Sequence, residues 1–382
     1  MLSPNELHRY SRQILLPGFE KSGQEKLKQG SVLVIGAGGL GSPALLYLAA
    51  AGIGHIGIVD FDVVDISNLQ RQVLFKTNDV GQSKAGLAAS RLKELNPLLL
   101  VDTYQAKIDS SNAMEIIARY DIVLDGSDNL PTRYLVNDAC IFLNKPLVYG
   151  AIFQYEGQVS VFNQLLHDGT RGPNYRDLFP EPPPPEMVPS CSEGGVLGVL
   201  PGIIGSMMAN EVIKIMCDVG STLSGRLLLF DSLDFSSRIV NLKKNPTNPV
   251  SGETPIIFKL IDYNAFCNPN LSKAEMAIKS ITPLELKEWI ATGKEFQLID
   301  VRDSKEVEYV NIGGVNLPVN TIEEKYALIN KHLPVVLYCK TGVRSALAVK
   351  RLVSEFKFDN LSNLSGGILK WIDDVDPSLP RY

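Results

Sequence analysis

The chain has 382 residues, 45% of them hydrophobic and 21% charged, with a net charge of −5. That length allows two domains with separate cores. The mild acidity leaves no basic footprint, so nucleic acid is not an expected ligand. The five cysteines are scattered and odd in number, which argues against a disulfide framework and for a reducing, cytoplasmic setting. The opening MLSPNELHRYSRQ lacks the apolar core of a signal peptide. The most apolar long stretch, 194–217, is broken by Pro201, Asn210, Glu211 and Lys214, as suits a buried helix and not a membrane span.

Residues 6–16 read as a helix from which Arg9 and Arg12 project. Residues 32–35 are wholly apolar, the pattern of a strand buried on both faces of a parallel sheet. Gly36-Ala37-Gly38-Gly39-Leu40-Gly41 follows, then an apolar helical segment over 42–51. A second apolar run, 56–59, ends in Asp60. This is a βαβ unit with a glycine turn at a helix N-terminus, where free N–H groups and the helix dipole favour phosphate and Asp60 can accept from a ribose. The fingerprint alone fits a nicotinamide dinucleotide. Asp62, Ser67, Asn68, Leu69, Gln70, Arg71 and, further on, Lys84 change that balance. Cations crowded at the phosphate end suit a triphosphate and its leaving pyrophosphate.

Lys84 should open a helix running to Leu95, closed by Asn96-Pro97. The run 121–124 is a strand leading into Asp125-Gly126-Ser127-Asp128-Asn129, polar residues where open α/β sheets bind ligands. Further strands are expected at 146–152, 158–162, 226–230 and 238–242. Between them, 167–193 carries a proline run and is expected as an extended surface loop, with Cys191 at its end. A first domain is therefore expected over 1–250, a polar, proline-punctuated linker over 251–275 and a second α/β domain over 276–382. There Thr282-Pro283 opens a helix to Ala291, 297–301 and 335–338 are strands, and Cys339-Lys340-Thr341-Gly342-Val343-Arg344-Ser345 leads into a helix to about Phe356.

A cysteine at a buried strand end, opening a tight loop into a helix, is an anion-binding nucleophile site. A cysteine-phosphatase loop is longer. Here only Lys340, Thr341, Gly342 and Val343 separate Cys339 from Arg344, which suits one extra sulfur atom better than a phosphoryl group. The plainer reading is a cysteine that only packs the strand end, but the surrounding glycine and charges would be odd core.

These residues carry a resemblance. The stretch 298–302, Gly313-Gly314-Val315, the Cys339 loop and Gly366-Gly367 with Trp371 resemble a single rhodanese domain. Arg9-Tyr10-Ser11-Arg12-Gln13, the glycine turn, 60–72, Gly81-Gln82-Ser83-Lys84 and Ser127-Asp128-Asn129 resemble the ubiquitin-activating-enzyme-like (ThiF-type) adenylyltransferases that activate sulfur-carrier proteins. Together they resemble adenylyltransferase/sulfurtransferase fusions that serve molybdopterin, thiamine or tRNA thiolation. The fold implied is a Rossmann-like α/β domain with a mixed sheet, followed by a smaller α/β rhodanese domain.

The resemblance implies ATP on Gly36, Gly38, Gly39, Gly41 and Asp60, with Asn68, Arg71 and Lys84 on the triphosphate. Asp128 would bind Mg²⁺ beside Asn129. Arg12 would reach a neighbouring subunit's site, making a homodimer. The partner would be a ubiquitin-like sulfur carrier whose Gly-Gly carboxylate is adenylated, and Cys339, beside Arg344, would carry a persulfide from a cysteine-desulfurase-type donor. Cys191 matches a cysteine that relatives use for a covalent link to the carrier; a structural thiol at a loop–helix junction is the equal alternative. The family commonly holds Zn²⁺ on two Cys-x-x-Cys pairs. This chain has Asn174, Asp177, Asn248 and Ser251 in their place, which form no thiolate site. No zinc is expected, and Arg176 or the packing of Pro249 must tie the segments. The rival readings are an adenylyltransferase whose rhodanese-like domain only docks partners, and an NAD-dependent enzyme with a regulatory domain.

Overall fold

The computed structural model describes residues 1–183, 195–267 and 278–381; Cys191 lies outside them. The chain divides into two compact units, Met1–Pro269 and Asn270–Tyr382.

In the first unit β1 (Ser31–Ile35) and β4 (Ile122–Asp125) are buried at every position, and β2 (His55–Val59) at all but His55. Continuous apolar runs are what a sheet covered on both faces requires. With β3 (Leu100–Tyr104), β5 (Leu147–Phe153), β6 (Glu156–Phe162), β7 (Arg226–Asp231) and β8 (Ser236–Asn241), they form one mixed sheet ordered β3-β2-β1-β4-β5-β6-β7-β8. β3 to β5 are parallel and β5 to β8 antiparallel. The winding reverses at β1, between β2 and β4, and leaves a crevice at their carboxyl ends. The helix Lys84–Leu95 starts at its Ser83 cap and stops at Asn96, before Pro97.

Three expectations change. The helix over 6–16 is two short helices, Pro4–Arg9 and Ser11–Ile14, broken at Tyr10. Tyr10 is buried and accepts from the Asn96 amide at 2.9 Å, so tertiary packing interrupts the helix. The stretch 167–193 is not surface loop throughout. Tyr175–Leu178 is helical, and Tyr175 and Arg176 are buried. The Arg176 charge is carried inside because Nε and Nη2 each donate to Asp138 at 2.8 Å. Its guanidinium also lies 4.9 Å and 4.7 Å from the Tyr134 and Phe266 rings. Finally, the chain beyond 250 stays on the first unit as far as Cys267. The helix Tyr263–Cys267 packs on the helix Leu130–Phe142, and Tyr263 Oη donates to Asp138 at 2.8 Å.

The apolar helix Leu200–Cys217 packs on the helix Gly41–Ala51. Its polar interruptions are matched: buried Glu211 accepts from the Leu223 amide at 2.8 Å and pairs with Lys214. The two helices cross at Gly205, where an added Cβ would lie 2.4 Å from the Leu40 carbonyl oxygen.

The second unit is a parallel sheet ordered β11-β10-β12-β13-β9, built from β9 (Ser280–Ile281), β10 (Gln297–Asp300), β11 (Val315–Asn316), β12 (Val335–Tyr338) and β13 (Leu361–Leu364). Thr282 caps the helix Pro283–Ala291. Arg302 is fully buried: Nε donates to both Asp300 oxygens at 2.9 and 3.1 Å, and Nη2 to the Val310 carbonyl at 2.7 Å.

Because the atom facing Gly205 is backbone and cannot swing aside, Gly205→Ala must push the two helices apart. Overpacking of this kind costs about 1–3 kcal/mol, which denaturant unfolding at constant m-value would show as a lowered midpoint.

Candidate functional site

The first site is the cleft at the carboxyl ends of β1, β2 and β4. β1 runs into Gly36, which has φ +87° and whose Cβ, if present, would crowd the Gly126 carbonyl oxygen at 3.2 Å. Gly41 opens the following helix so close to that turn that a Cβ would sit 1.9 Å from the Gly36 oxygen. Gly36, Gly38 and Gly39 line the cleft with backbone alone. Gly41 sits behind the lining and makes the turn possible.

Asp60 leaves β2 and is buried. Its carboxylate accepts from the Ala37 and Asp62 amides at 2.8 Å each, which aims it across the glycine turn. Burial raises its pKa above 3.8, while those amides and the Lys84 charge oppose the shift. Lys84 is also buried, and its ammonium sits 3.1 Å from exposed Asp62. Asp62 therefore acts in this structure as the counter-ion that holds Lys84 at the cleft wall. Arg71 lines the cleft and donates to the Ser67 carbonyl at 3.0 Å.

The opposite wall comes from the end of β4. The Asp125 carboxylate accepts from the Ser127 amide at 2.9 Å and is pushed up in pKa by full burial. Asp128 and Asn129 follow at the cleft. Asn129 caps the helix Leu130–Phe142 by accepting from the Thr132 amide at 3.0 Å.

Of the expected residues, Gly36, Gly38, Gly39, Asp60, Asp62, Arg71, Lys84, Asp128 and Asn129 come together around the cleft. Ser67, Asn68, Leu69 and Gln70 do not line it. They build the short turn that presents Arg71, with Asn68 accepting from the Asp65 amide. Arg12 is exposed on the helix Ser11–Ile14 and lines no part of its own chain's cleft.

Three further residues line the cleft: Gln72 and Ser127, which lie in the matched motifs without a role assigned to them, and Arg133, which the sequence reading missed. Each has a buried polar atom without a hydrogen-bond partner: Gln72 Oε1, Ser127 Oγ and Arg133 Nε. Buried polar groups are normally paired, so a cluster of orphans at one cleft fits a site completed by a polar ligand. Arg133 donates to the Ser127 carbonyl at 3.2 Å and lies 5.5 Å from the Tyr149 ring. Its signal was its place one helical turn after the Asn129 cap, which returns its side chain to the strand end.

The second site is the loop after β12. Cys339 is buried, and its Sγ accepts from the Gly342 amide at 3.2 Å, with Ser345 Oγ at 3.4 Å. Gly342 has φ +89°, which turns its amide inward and starts the helix Val343–Phe356. Gly367 lies beneath, where a Cβ would be 2.4 Å from the Cys339 carbonyl oxygen. The Gly342 amide and the start of the helix Val343–Phe356 thus lie against the sulfur. Arg344 is held by Glu306 in a bidentate pair at 2.7 and 2.8 Å. Glu306 was not read from sequence as a site residue, because it lies 38 positions away. The other described cysteines are core thiols. Burial raises the pKa of Cys217 to about 11 and of Cys267 to about 12, and pushes Cys140 higher still. Such thiols are poor nucleophiles.

A model of the ThiF family matches residues 10–250, and a rhodanese-like domain model matches residues 282–374. The chain belongs to the ThiF family and carries a rhodanese-like domain. Probable adenylyltransferase/sulfurtransferase MoeZ of Mycobacterium tuberculosis is similar to this ThiF–rhodanese chain at 48% identity, over 100% of this chain and 96% of its own length. An adenylyltransferase and sulfurtransferase of Anopheles gambiae is 43% identical over 100% and 90%. The sulfur carrier protein adenylyltransferase of Thermus thermophilus is 54% identical over 69% of this chain and 97% of its own. Among solved structures, E. coli MccB with ATP shares the fold at TM-score 0.55 and 24% identity, over 65% of this chain and 75% of that one. The ThiF–rhodanese chain is thus an enzyme of adenylyl and sulfur transfer, which favours that activity over the nicotinamide and docking-only readings.

Two predictions follow from the geometry. If Asp60 receives ribose hydroxyls as a carboxylate, protonating it weakens nucleotide binding. Its pKa is raised, so affinity should fall on acidification before an ordinary carboxylate would titrate. Calorimetric titration of nucleotide against pH checks this, and Asp60→Asn should flatten the profile. In the second unit, Glu306→Ala strips Arg344 of its bidentate partner and should cost about 1–3 kcal/mol of stability by chemical denaturation.

Proposed function

We propose that this enzyme uses ATP to adenylate the C-terminal Gly-Gly carboxylate of a ubiquitin-like sulfur-carrier protein, then converts the acyl-adenylate to a thiocarboxylate with sulfur carried on Cys339. The observation that carries this reading is the presence in one chain of two complementary sites. One is a glycine turn faced by Arg71 and Lys84, and the other a cysteine whose sulfur accepts from the Gly342 amide and the Ser345 hydroxyl. A carboxylate is a poor acyl donor, so an adenylating site supplies the leaving group that a sulfur nucleophile requires.

In the first step the carrier's carboxylate attacks the α-phosphate and pyrophosphate leaves. Amides of the turn, Arg71 and Lys84 meet the charge that develops. Transfer of Lys84 from Asp62 to the phosphates leaves its charge neutralised throughout. Asp128 offers a hard oxygen donor at the cleft, which fits a Mg²⁺ ion held mainly by phosphates and water. Such an ion would neutralise charge on the leaving pyrophosphate.

In the second step the terminal sulfur of a Cys339 persulfide attacks the acyl carbon and expels AMP, giving an acyl disulfide. A second thiol then attacks the Cys339 sulfur of that disulfide and releases the thiocarboxylate, leaving Cys339 in a disulfide with that thiol. Cys191 is our candidate for the thiol; a direct covalent link between it and the carrier is the alternative. The persulfide would come from a cysteine-desulfurase-type donor. Exposed Arg12 fits a role in a partner's site within a homodimer. The setting is cytoplasmic, and the pathway is one that consumes thiocarboxylate: molybdopterin, thiamine or thiolated tRNA.

The test is mass spectrometry of a Gly-Gly carrier incubated with enzyme, ATP, Mg²⁺ and a persulfide donor. Wild type should yield the product in which one sulfur replaces one oxygen. Cys339→Ala should stop at the acyl-adenylate, and Arg71→Ala should slow its formation by roughly 10²–10³-fold. Thiocarboxylate from Cys339→Ala would refute the sulfur route, and an unchanged rate in Arg71→Ala would refute the triphosphate assignment.

A further inference from the structure

Asn174, Asp177, Asn248 and Ser251 stand where the family resemblance would place four zinc-binding cysteines. In this structure they meet. Asn174 Nδ2 donates to Ser251 Oγ at 2.8 Å and to Asp177 Oδ2 at 3.0 Å. Asn248 Nδ2 donates to Asp177 Oδ1 at 2.7 Å and to Asn174 Oδ1 at 3.2 Å. Asp177 also accepts the Asn174 amide at 2.7 Å and the Asn245 amide at 3.0 Å. Asn248 Oδ1 takes the Val250 and Ser251 amides at 3.0 and 3.1 Å. Asn174 and Asn248 are both buried, the latter completely.

The donor chemistry does not fit a metal. Two amide nitrogens point into the cluster as hydrogen-bond donors, and a cation needs lone pairs there. Neither thiolate nor imidazole is present, and the one carboxylate is engaged on both oxygens. The cluster does, however, join the same two stretches of chain, 174–177 and 245–252. The turn at 245–252 is closed against itself: a Cβ on Gly252 would meet the Pro246 oxygen at 2.4 Å and the Asn248 oxygen at 2.6 Å. Pro249 extends the hold by accepting the Ile256 and Ile257 amides at 2.8 and 2.9 Å. Arg176, in the same helical turn as Asn174 and Asp177, fastens that turn to Asp138.

We infer that Asn174, Asp177, Asn248 and Ser251 form a metal-free hydrogen-bonded tie that replaces a zinc cross-link, so that the first unit folds and keeps its stability without zinc. Asn174 and Asn248 are buried and Asp177 and Ser251 half-buried, and because they share hydrogen bonds the four are interdependent. Removing Asn248 takes one donor each from Asn174 Oδ1 and Asp177 Oδ1, which keep the Arg176 and Asn245 amides, and removes the acceptor of the Val250 and Ser251 amides.

The test uses the full chain. Purified wild type should contain no stoichiometric zinc by elemental mass spectrometry, and a chelator should leave its unfolding temperature unchanged. Asn248→Ala and Asp177→Asn should each melt roughly 4–8 °C lower, again without response to chelator. The combined variant Asn174→Cys, Asp177→Cys, Asn248→Cys, Ser251→Cys should take up about one zinc per chain and become chelator-sensitive, since four thiolates converging on one point bind it. Stoichiometric zinc in wild type lost together with stability, or single variants that melt like wild type, would overturn the inference. A four-cysteine variant that folds but binds no zinc would overturn the claim that the four side chains converge.

Discussion

The first unit depends on how closely three pieces of backbone approach at the end of β1. Gly36 faces Gly126 across the sheet, and Gly41 starts its helix against the Gly36 carbonyl at a distance no side chain permits. Gly126 donates to the Ile35 carbonyl at 2.9 Å, which locks the ends of β1 and β4 together. With those contacts made, the helix N-terminus, Asp60 and the Ser127–Asp128 turn must all face one crevice. The site is therefore a property of the backbone first and of its charged side chains second.

The second unit solves a related problem with the same parts. A buried parallel strand ends at Cys339, a glycine in the left-handed region turns its amide toward the sulfur, and a helix begins at once. In both units the free N–H groups of a helix start are aimed at negative charge. What differs is the room and the accompanying groups. The first site leaves an open cleft flanked by cations, whereas the second closes over a single sulfur and commits its arginine to Glu306. On the proposed function, the first arrangement would suit a polyphosphate and the second a single polarisable atom.

Buried polar groups do much of the remaining positioning. Arg176 with Asp138 and Tyr263 carries the chain beyond 250 back onto the helix Leu130–Phe142, whose first turn forms one wall of the cleft. Arg302 with Asp300 fixes the start of the second unit's loops to its central strands. Breaking such a pair leaves an uncompensated charge, so each holds its segments in one arrangement even where its net contribution to stability is small.

Local signals were enough to read much of this protein. Apolar runs with no alternation marked β1, β2, β4 and β12 as covered strands, and the helix starts expected at Lys84 and at Thr282-Pro283 are reproduced by the structure. Glycine spacing and the polar residues just past strand ends located both sites, because phosphate-facing turns and cysteine loops are made within a few residues. Where partners lie far apart in sequence, local pattern failed. Arg176 was expected to tie segments, but its partner Asp138 could not be named; Glu306 was not read as a site residue although it pairs with Arg344; and the stretch past 250 read as linker although Tyr263 is buried. Sequence alone showed that no zinc-binding thiolates stand at 174, 177, 248 and 251. Only the tertiary structure decided what stands in for them, because hydrogen bonds between residues more than 70 positions apart leave no trace in local periodicity.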